Sequence, residues 1–98
     1  MYDVSSVIYG KVAEMITERI GRSDYVSDCL EFEVDGIQCR FLFSAIAYRR
    51  HLYLPEGECD ELSDLVPVWW EFHTYRDEEE LLNDFSFNEL RCYIQSLV

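Results

Sequence analysis

The chain has 98 residues and a mass of 11.7 kDa, which corresponds to one domain over residues 1–98. Hydrophobic residues make up 49% of it and aromatic residues 15%, so the composition is that of a folded domain rather than a disordered chain. Twenty acidic and eight basic residues give a formal net charge of −12. Because nucleic-acid phosphates repel such a surface, we expect no direct nucleic-acid binding.

Hydrophobic segments and the N-terminus predict a cytoplasmic protein that does not contact a membrane. No apolar run reaches the roughly 18 residues of a transmembrane helix. The first six residues lack the basic and apolar regions of a signal peptide. Four cysteines lie 10, 20 and 33 residues apart, at Cys29, Cys39, Cys59 and Cys92. Zinc sites bring two ligands closer together than this, so we expect free thiols, no metal and no cofactor.

The first predicted element is a helix over Ser5–Ile20. Apolar residues recur at helical spacing, at Val4, Val7, Ile8, Val12, Met15, Ile16 and Ile20. Asp3, Ser5 or Ser6 can cap its start. Gly21 can adopt the left-handed conformation just after its end.

A β-hairpin is predicted next, with strands at residues 29–34 and 37–43 joined by Asp35-Gly36. A two-residue turn fixes the register, so that Leu30 opposes Phe41 on an apolar face. On the other face Glu31 opposes Arg40, which is a favourable cross-strand pair.

The segment from Ser44 to Leu54 is compatible with a bent continuation of the second strand or with a short helix. We favour the bent strand, because an unbroken strand from Ile37 to Leu54 would be about 60 Å long, whereas the domain has an expected radius of gyration near ~13 Å. Residues 55–65 are predicted to form an acidic loop.

A third strand is predicted over residues 66–75, with Trp70 in the core and Trp69 on the opposite face. Residues 77–83 are predicted to form a helical turn. A final helix opens with the capping box Ser86 to Glu89, and its apolar stripe is Phe87, Leu90, Ile94 and Leu97.

These elements predict an α+β domain of order α-β-β-β-α, in which a three-stranded antiparallel meander carries both helices on one face. That order resembles the topology of the double-stranded-RNA-binding domain. The binding residues of that family are basic, whereas the final helix offers only Arg91 against Glu89. The resemblance is therefore limited to the order of elements, and no family function is carried over.

No catalytic or metal-binding residues are predicted. The chain has no nucleotide-binding, zinc-protease, α/β-hydrolase or calcium motif. The two histidines would converge with Cys59 and Asp60 only if the acidic loop folded back, and we interpret His51 and His73 as residues of a solvated sheet face. Glu71 is interpreted as a carboxylate of the outer face.

Two helices cover only one face of the sheet, so aromatic residues on the other face are candidates for protein contact. These candidates are Trp69, Tyr75, Tyr48 and Tyr53. We therefore expect a non-enzymatic interaction module that binds an unidentified protein or a second copy of itself. The alternatives are an acidic decoy of nucleic acid and, least favoured, a small enzyme. The decoy would use the acidic residues Glu56, Glu58, Asp60, Glu61, Asp64, Asp77, Glu78, Glu79 and Glu80, whose simpler role is solubility.

Overall fold

The computed structural model describes residues 2–21 and 23–96, without the side chains of residues 59–61 and 96. The elements are α1 (Ser6–Ile20), β1 (Tyr25–Val34), β2 (Ile37–Leu54), β3 (Gly57–Arg76), β4 (Glu79–Leu81) and α2 (Phe87–Ser96). The α+β class is confirmed, but the described sheet has four antiparallel strands in the order β1-β2-β3-β4 rather than three. The predicted stripe residue Leu97 and the side chains of Cys59, Asp60 and Glu61 lie outside the described residues.

Both helices begin at the predicted residues, but the Ser86 N–H, which a capping box would bond to the Glu89 side chain, donates to the Tyr9 hydroxyl at 3.0 Å. Ser5 caps α1, and its hydroxyl oxygen accepts a hydrogen bond from the backbone N–H of Ile8 at 3.4 Å. Gly21 ends α1 with a φ of 55°. Most of the predicted stripe is buried, but Val7 is 61% exposed. In α2 the Ser86 carbonyl accepts the first helical hydrogen bond, from Leu90.

The β1–β2 hairpin has the predicted register, with Leu30 opposite Phe41 and Glu31 opposite Arg40. Asp35 has a φ of 50° and Gly36 a φ of 79°, as a type I′ turn requires at its two central residues. The Arg40 guanidinium lies 3.4 Å from the Glu31 carboxylate, so the predicted cross-strand pair is formed.

β2 continues as a strand to Leu54, so the bent strand is confirmed and the helix is not formed. Its pairing with β3 shifts after Ser44 and again after Tyr48, and these bulges bend the ribbon. The predicted acidic loop is wrong. The chain turns at Pro55-Glu56 and re-enters the sheet at Gly57. The acidic segment pairs with β2, where Arg50 opposes Glu61 and His51 opposes Asp60.

The predicted helical turn after residue 76 is also wrong. Asp77 and Glu78 both have positive φ, at 50° and 68°, and form the third two-residue hairpin turn, after Asp35-Gly36 and Pro55-Glu56. This turn returns the chain as β4, where Leu81 pairs with Thr74 on β3. The charged turn residues therefore form a hairpin without glycine.

One core joins both helices to a single face of the sheet. The ring of Phe41 lies between sheet neighbours and residues that precede or begin α2, with centroids 5.2 Å from Phe85 and 6.0 Å from Phe87. Trp70 is on this side and contacts the same two rings, but it is 37% exposed. Trp70 therefore lies at the margin of the core. The sequence pattern predicts that it lies inside the core, and this prediction is wrong.

The molecule is elongated, with extents of 50 × 23 × 19 Å and a radius of gyration of 14.6 Å. β1 pairs with β2 only as far as Tyr25 opposite Ile46, so the rest of the β2–β3 ribbon projects beyond β1. Within the described residues, no helix is both long enough and apolar enough to cross a membrane.

The backbone conformation of the first hairpin turn predicts how substitutions at Gly36 change stability. A Cβ there would meet no atom within 4 Å, so a substitution is penalised by backbone conformation and not by a clash. Gly36→Val should lower the free energy of unfolding by about 1–2 kcal/mol or more in urea denaturation. Gly36→Asn is the control and should lose less, since Asn tolerates positive φ. Equal stability of the wild type and Gly36→Val would contradict this turn.

The thiols should differ in accessibility. Cys29 and Cys92 are exposed, whereas Cys39 is buried and desolvation raises its thiol pKa to about 11. Because the thiolate is the reactive form, maleimide at neutral pH should label Cys29 and Cys92 before Cys39. After denaturation without reductant all four cysteines should react, as mass spectrometry can establish. Blocked thiols in freshly purified protein would refute the free-thiol prediction.

Candidate interaction surface

One face of the sheet carries no helix, and its side chains follow from the strand register. Tyr25, Ile46 and Val66 oppose one another in one row, and Ser27, Ser44 and Trp69 in the next. Leu42 and Tyr48 extend the same face of β2 on either side. We call the six larger apolar and aromatic members the apolar half: Tyr25, Leu42, Ile46, Tyr48, Val66 and Trp69.

Several members of the apolar half are well exposed. Tyr25 and Tyr48 are each 53% exposed, Trp69 is 47% exposed and Ile46 is 42% exposed. Leu42 and Val66 are half-buried between them. Exposed side chains of this size on adjacent strands form a continuous apolar surface rather than isolated residues.

A polar pair lies within the apolar half. The hydroxyls of Ser27 and Ser44 are 2.9 Å apart and hydrogen-bond to each other. Ser44 is only 3% exposed although no helix covers this face. The pair satisfies its own hydrogen bond, so the centre of the surface presents little unsatisfied polarity.

The other end of the same face is charged. His73 lies between two carboxylates, with Nδ1 3.0 Å from Glu80 and Nε2 3.3 Å from Glu71. Tyr75 belongs to this end, and its phenol pKa is raised, first by desolvation and then by the neighbouring Glu80. The outer face is thus divided into the apolar half and a charged half.

The β1 edge has a carboxylate placed over its backbone. The register makes the N–H of Cys29 point away from β2. The Asp28 carboxylate accepts this N–H at 2.7 Å and is itself held by Arg19 of α1 at 3.0 Å. A bonded N–H is not available to an added strand, so this edge is protected at its middle.

The β3 edge is protected in the same way. Asp64 accepts the N–H of Leu65 at 2.8 Å and is clamped by Arg91 of α2 at 2.6 and 2.9 Å. This clamp lowers the pKa of the Asp64 carboxyl. Pro67 has no N–H to offer, and the Asn83 side chain donates to the Phe72 carbonyl at 3.0 Å. Strand addition is therefore opposed at Cys29 on the β1 edge and from Leu65 to Pro67 on the β3 edge.

The predicted aromatic candidates do not form one site. Trp69 and Tyr48 both belong to the apolar half, whereas Tyr75 lies in the charged half. Tyr53 is 79% exposed near the end of the projecting ribbon, where its ring packs edge-on against His51. The sequence analysis missed Tyr25, Leu42, Ile46 and Val66. The alternation of side chains between the two faces continues past Phe43, because β2 remains a strand. This pattern could have identified the missed residues.

The predicted acidic set also separates. Glu56 and Glu58 lie at the turn before β3 and on its first residues, and the acidic residues from Asp77 to Glu80 lie beyond its other end. Asp64 lies between these groups and is paired with Arg91. The decoy hypothesis calls for acidic groups along one surface, and it stays a prediction that gains no support from this placement.

The structure does not bring the two histidines together. His51 and His73 lie far apart on the ribbon, since one opposes Asp60 and the other Arg40. Among the described residues no cluster of three possible metal ligands occurs. A depression in the charged half is lined by Gln38, Arg40 and Tyr75.

Comparison with known proteins returns no relative. No family model, curated protein or solved structure matches this chain. Its function therefore has to be inferred from its own surface.

The two neighbouring tryptophans should respond differently to truncation. Trp70→Ala should lower the free energy of unfolding by about 2 kcal/mol, because Trp70 packs on Phe85 and Phe87 at the margin of the core. Removing a fully buried aromatic ring costs more, about 3–5 kcal/mol. Trp69→Ala should cost about 1 kcal/mol or less, since no ring contact holds it in the described structure. Urea denaturation of both variants measures the difference, and the reverse order would invert the assignment of faces.

Proposed function

We propose that this protein is a non-enzymatic interaction module that binds a folded protein surface through its apolar half. The observation that carries the proposal is the alignment of Tyr25, Ile46 and Val66 in one row of an uncovered sheet face, flanked by Trp69. In a two-layer α+β domain the second sheet face is ordinarily polar. Aromatic residues in its place are typical of the centre of protein interfaces.

The size of the surface supports this function. A Tyr or Trp side chain covers roughly 150–250 Å², so three half-exposed rings present roughly 300 Å² before the aliphatic residues are added. That value is comparable to the largest apolar patch of a typical monomer, which is often functional. Rigid aromatic side chains also lose little conformational entropy when they are bound.

The protected edges support a face as the binding element. Asp28 and Asp64 each occupy an N–H that a partner strand would need. A partner that approached either edge would have to displace an ion pair with Arg19 or Arg91. The apolar half carries no such obstruction.

Site-specific photo-crosslinking tests the proposal without knowledge of the partner. A benzophenone amino acid at Tyr25 or Tyr48 replaces one aromatic side chain with another and should give discrete crosslinked adducts in cell extract. The same probe at Val7, which is 61% exposed on α1, is the matched control and should give few. Adducts are resolved by mass. Equal yields from all three positions would refute a docking role for the apolar half.

A further inference from the structure

We infer that the partner of the apolar half is a protein whose own apolar patch is bordered on one side by arginine or lysine side chains, and that these basic side chains lie over the charged half. The inference rests on the proposed function and gives the chemistry of the partner. The evidence is the continuity of the two halves at Glu71 and the excess of carboxylates in the charged half.

The two halves of the outer face meet at Glu71. On β3 this residue comes two positions after Trp69, and on β2 it is opposite Leu42, so both of these neighbours belong to the apolar half. Residues two positions apart on a strand lie on the same face, about 7 Å from each other. A partner that covers Trp69 and Leu42 therefore extends over the Glu71 carboxylate as well.

Carboxylates outnumber cationic groups in the charged half. The strand register places four of them on this part of the outer face, from Glu31, Glu33, Glu71 and Glu80. Among the described strand residues of the same half, one guanidinium stands against them, that of Arg40. It lies 3.4 Å from the Glu31 carboxylate.

His73 does not remove this excess of negative charge. Its ring nitrogens lie 3.3 Å from Glu71 and 3.0 Å from Glu80, so one imidazole faces two carboxylates. A protonated ring compensates one of these two charges, and a neutral ring compensates neither. Four carboxylates and one guanidinium therefore give the charged half a net charge of −3, or −2 when His73 is protonated.

The excess charge determines which surface can cover this face. Burying a carboxylate without an opposite charge is costly, whereas a charge-assisted hydrogen bond from a basic side chain offsets the loss of water. The side chains of Glu31, Glu71 and Glu80 are more than half exposed, so a partner can reach them. An acidic or wholly apolar partner would remove water from Glu71 without supplying a positive charge.

The border between the two halves favours arginine in particular. A guanidinium can stack on an indole ring while its N–H groups donate to a carboxylate, and Trp69 and Glu71 present this pair of groups on the same face of β3. The depression lined by Glu31, Glu33 and Tyr75 lies further into the charged half and can accept a second basic side chain. One continuous partner surface can therefore make the apolar and the cationic contacts together.

Photo-crosslinking of the full chain in cell extract tests the inference. A benzophenone amino acid at Tyr25 reports binding at the apolar half, and the concentration of labelled chain that gives half of the maximal adduct yield measures the strength of binding. The same probe at Tyr75 lies in the charged half and should give an adduct of the same mass. Raising NaCl from about 50 to about 500 mM should increase the half-maximal concentration about tenfold.

Two double variants separate the charged half from the net charge of the whole chain. Glu71→Gln with Glu80→Gln removes two carboxylates from the charged half and should increase the half-maximal concentration about tenfold. Glu14→Gln with Glu18→Gln removes the same charge from exposed positions of α1 and should change it less than about twofold. Circular dichroism establishes whether each variant is folded. If the first pair unfolds, the NaCl series and the adduct mass at Tyr75 decide instead.

The outcomes separate this inference from the function on which it rests. Adducts at Tyr25 that respond neither to salt nor to the loss of Glu71 and Glu80, or that differ in mass from those at Tyr75, overturn the basic partner and leave the interaction module in place. Equal effects of the two double variants also overturn it, because the attraction then belongs to the net charge of −12. An adduct of twice the chain mass overturns it in favour of a second copy. Adduct yields at Tyr25 no higher than at the Val7 control overturn both the inference and the proposed function.

Discussion

The stacked pair of Phe72 and Phe85, with ring centroids 4.1 Å apart, is the contact on which the arrangement of layers depends. Phe85 lies between β4 and α2, so its position determines where the chain leaves the sheet. The same ring stacks on Tyr9 of α1 at 5.1 Å, and the Tyr9 hydroxyl accepts the N–H of Ser86 at 3.0 Å. One aromatic ring thereby joins the sheet to α1 and places the start of α2. Both helices are held on one face, and the opposite face is left open.

An uncovered apolar face and long unpaired strand edges can each cause aggregation. In this sheet the edges are protected by side chains, whereas the face is left open. Asp28 and Asp64 each bond the N–H of the next residue, and each is anchored by an arginine from a helix. Helix position and edge protection are thus coupled, because the core that places the helices also places Arg19 and Arg91. The bulge of β3 near Pro67 further disrupts strand pairing on that side. Strand addition is thereby opposed at Cys29 and at Leu65, which is consistent with the proposed use of the sheet face as the binding element.

Sequence patterns predicted the parts that local chemistry dominates. Ser5, Gly21 and Asp35-Gly36 set the ends of α1 and the first hairpin, and the register followed from the turn. The return of the chain from Gly57 was missed, because an acidic segment has low strand propensity and is stabilised only by its pairing with β2. The apolar half was missed in part for a similar reason. Phe41, Leu42 and Phe43 are consecutive apolar residues, which indicates that both faces of β2 carry apolar side chains. The sequence analysis assigned the apolar side chains of this strand to one core face, and Leu42 was therefore not counted as part of a second apolar surface.

The acidic composition, from which we expect no nucleic-acid binding, also makes the exposed apolar surface compatible with a dispersed protein. A net charge of −12 produces repulsion between copies in any unspecific approach, so random apolar contacts are disfavoured. A specific contact has to bury enough apolar area to exceed that repulsion, and on the described surface the apolar half is where adjacent strands supply it. For the proposed interaction module, the net charge disfavours unspecific contacts, and the register of β1, β2 and β3 creates the apolar surface that a specific partner would bury.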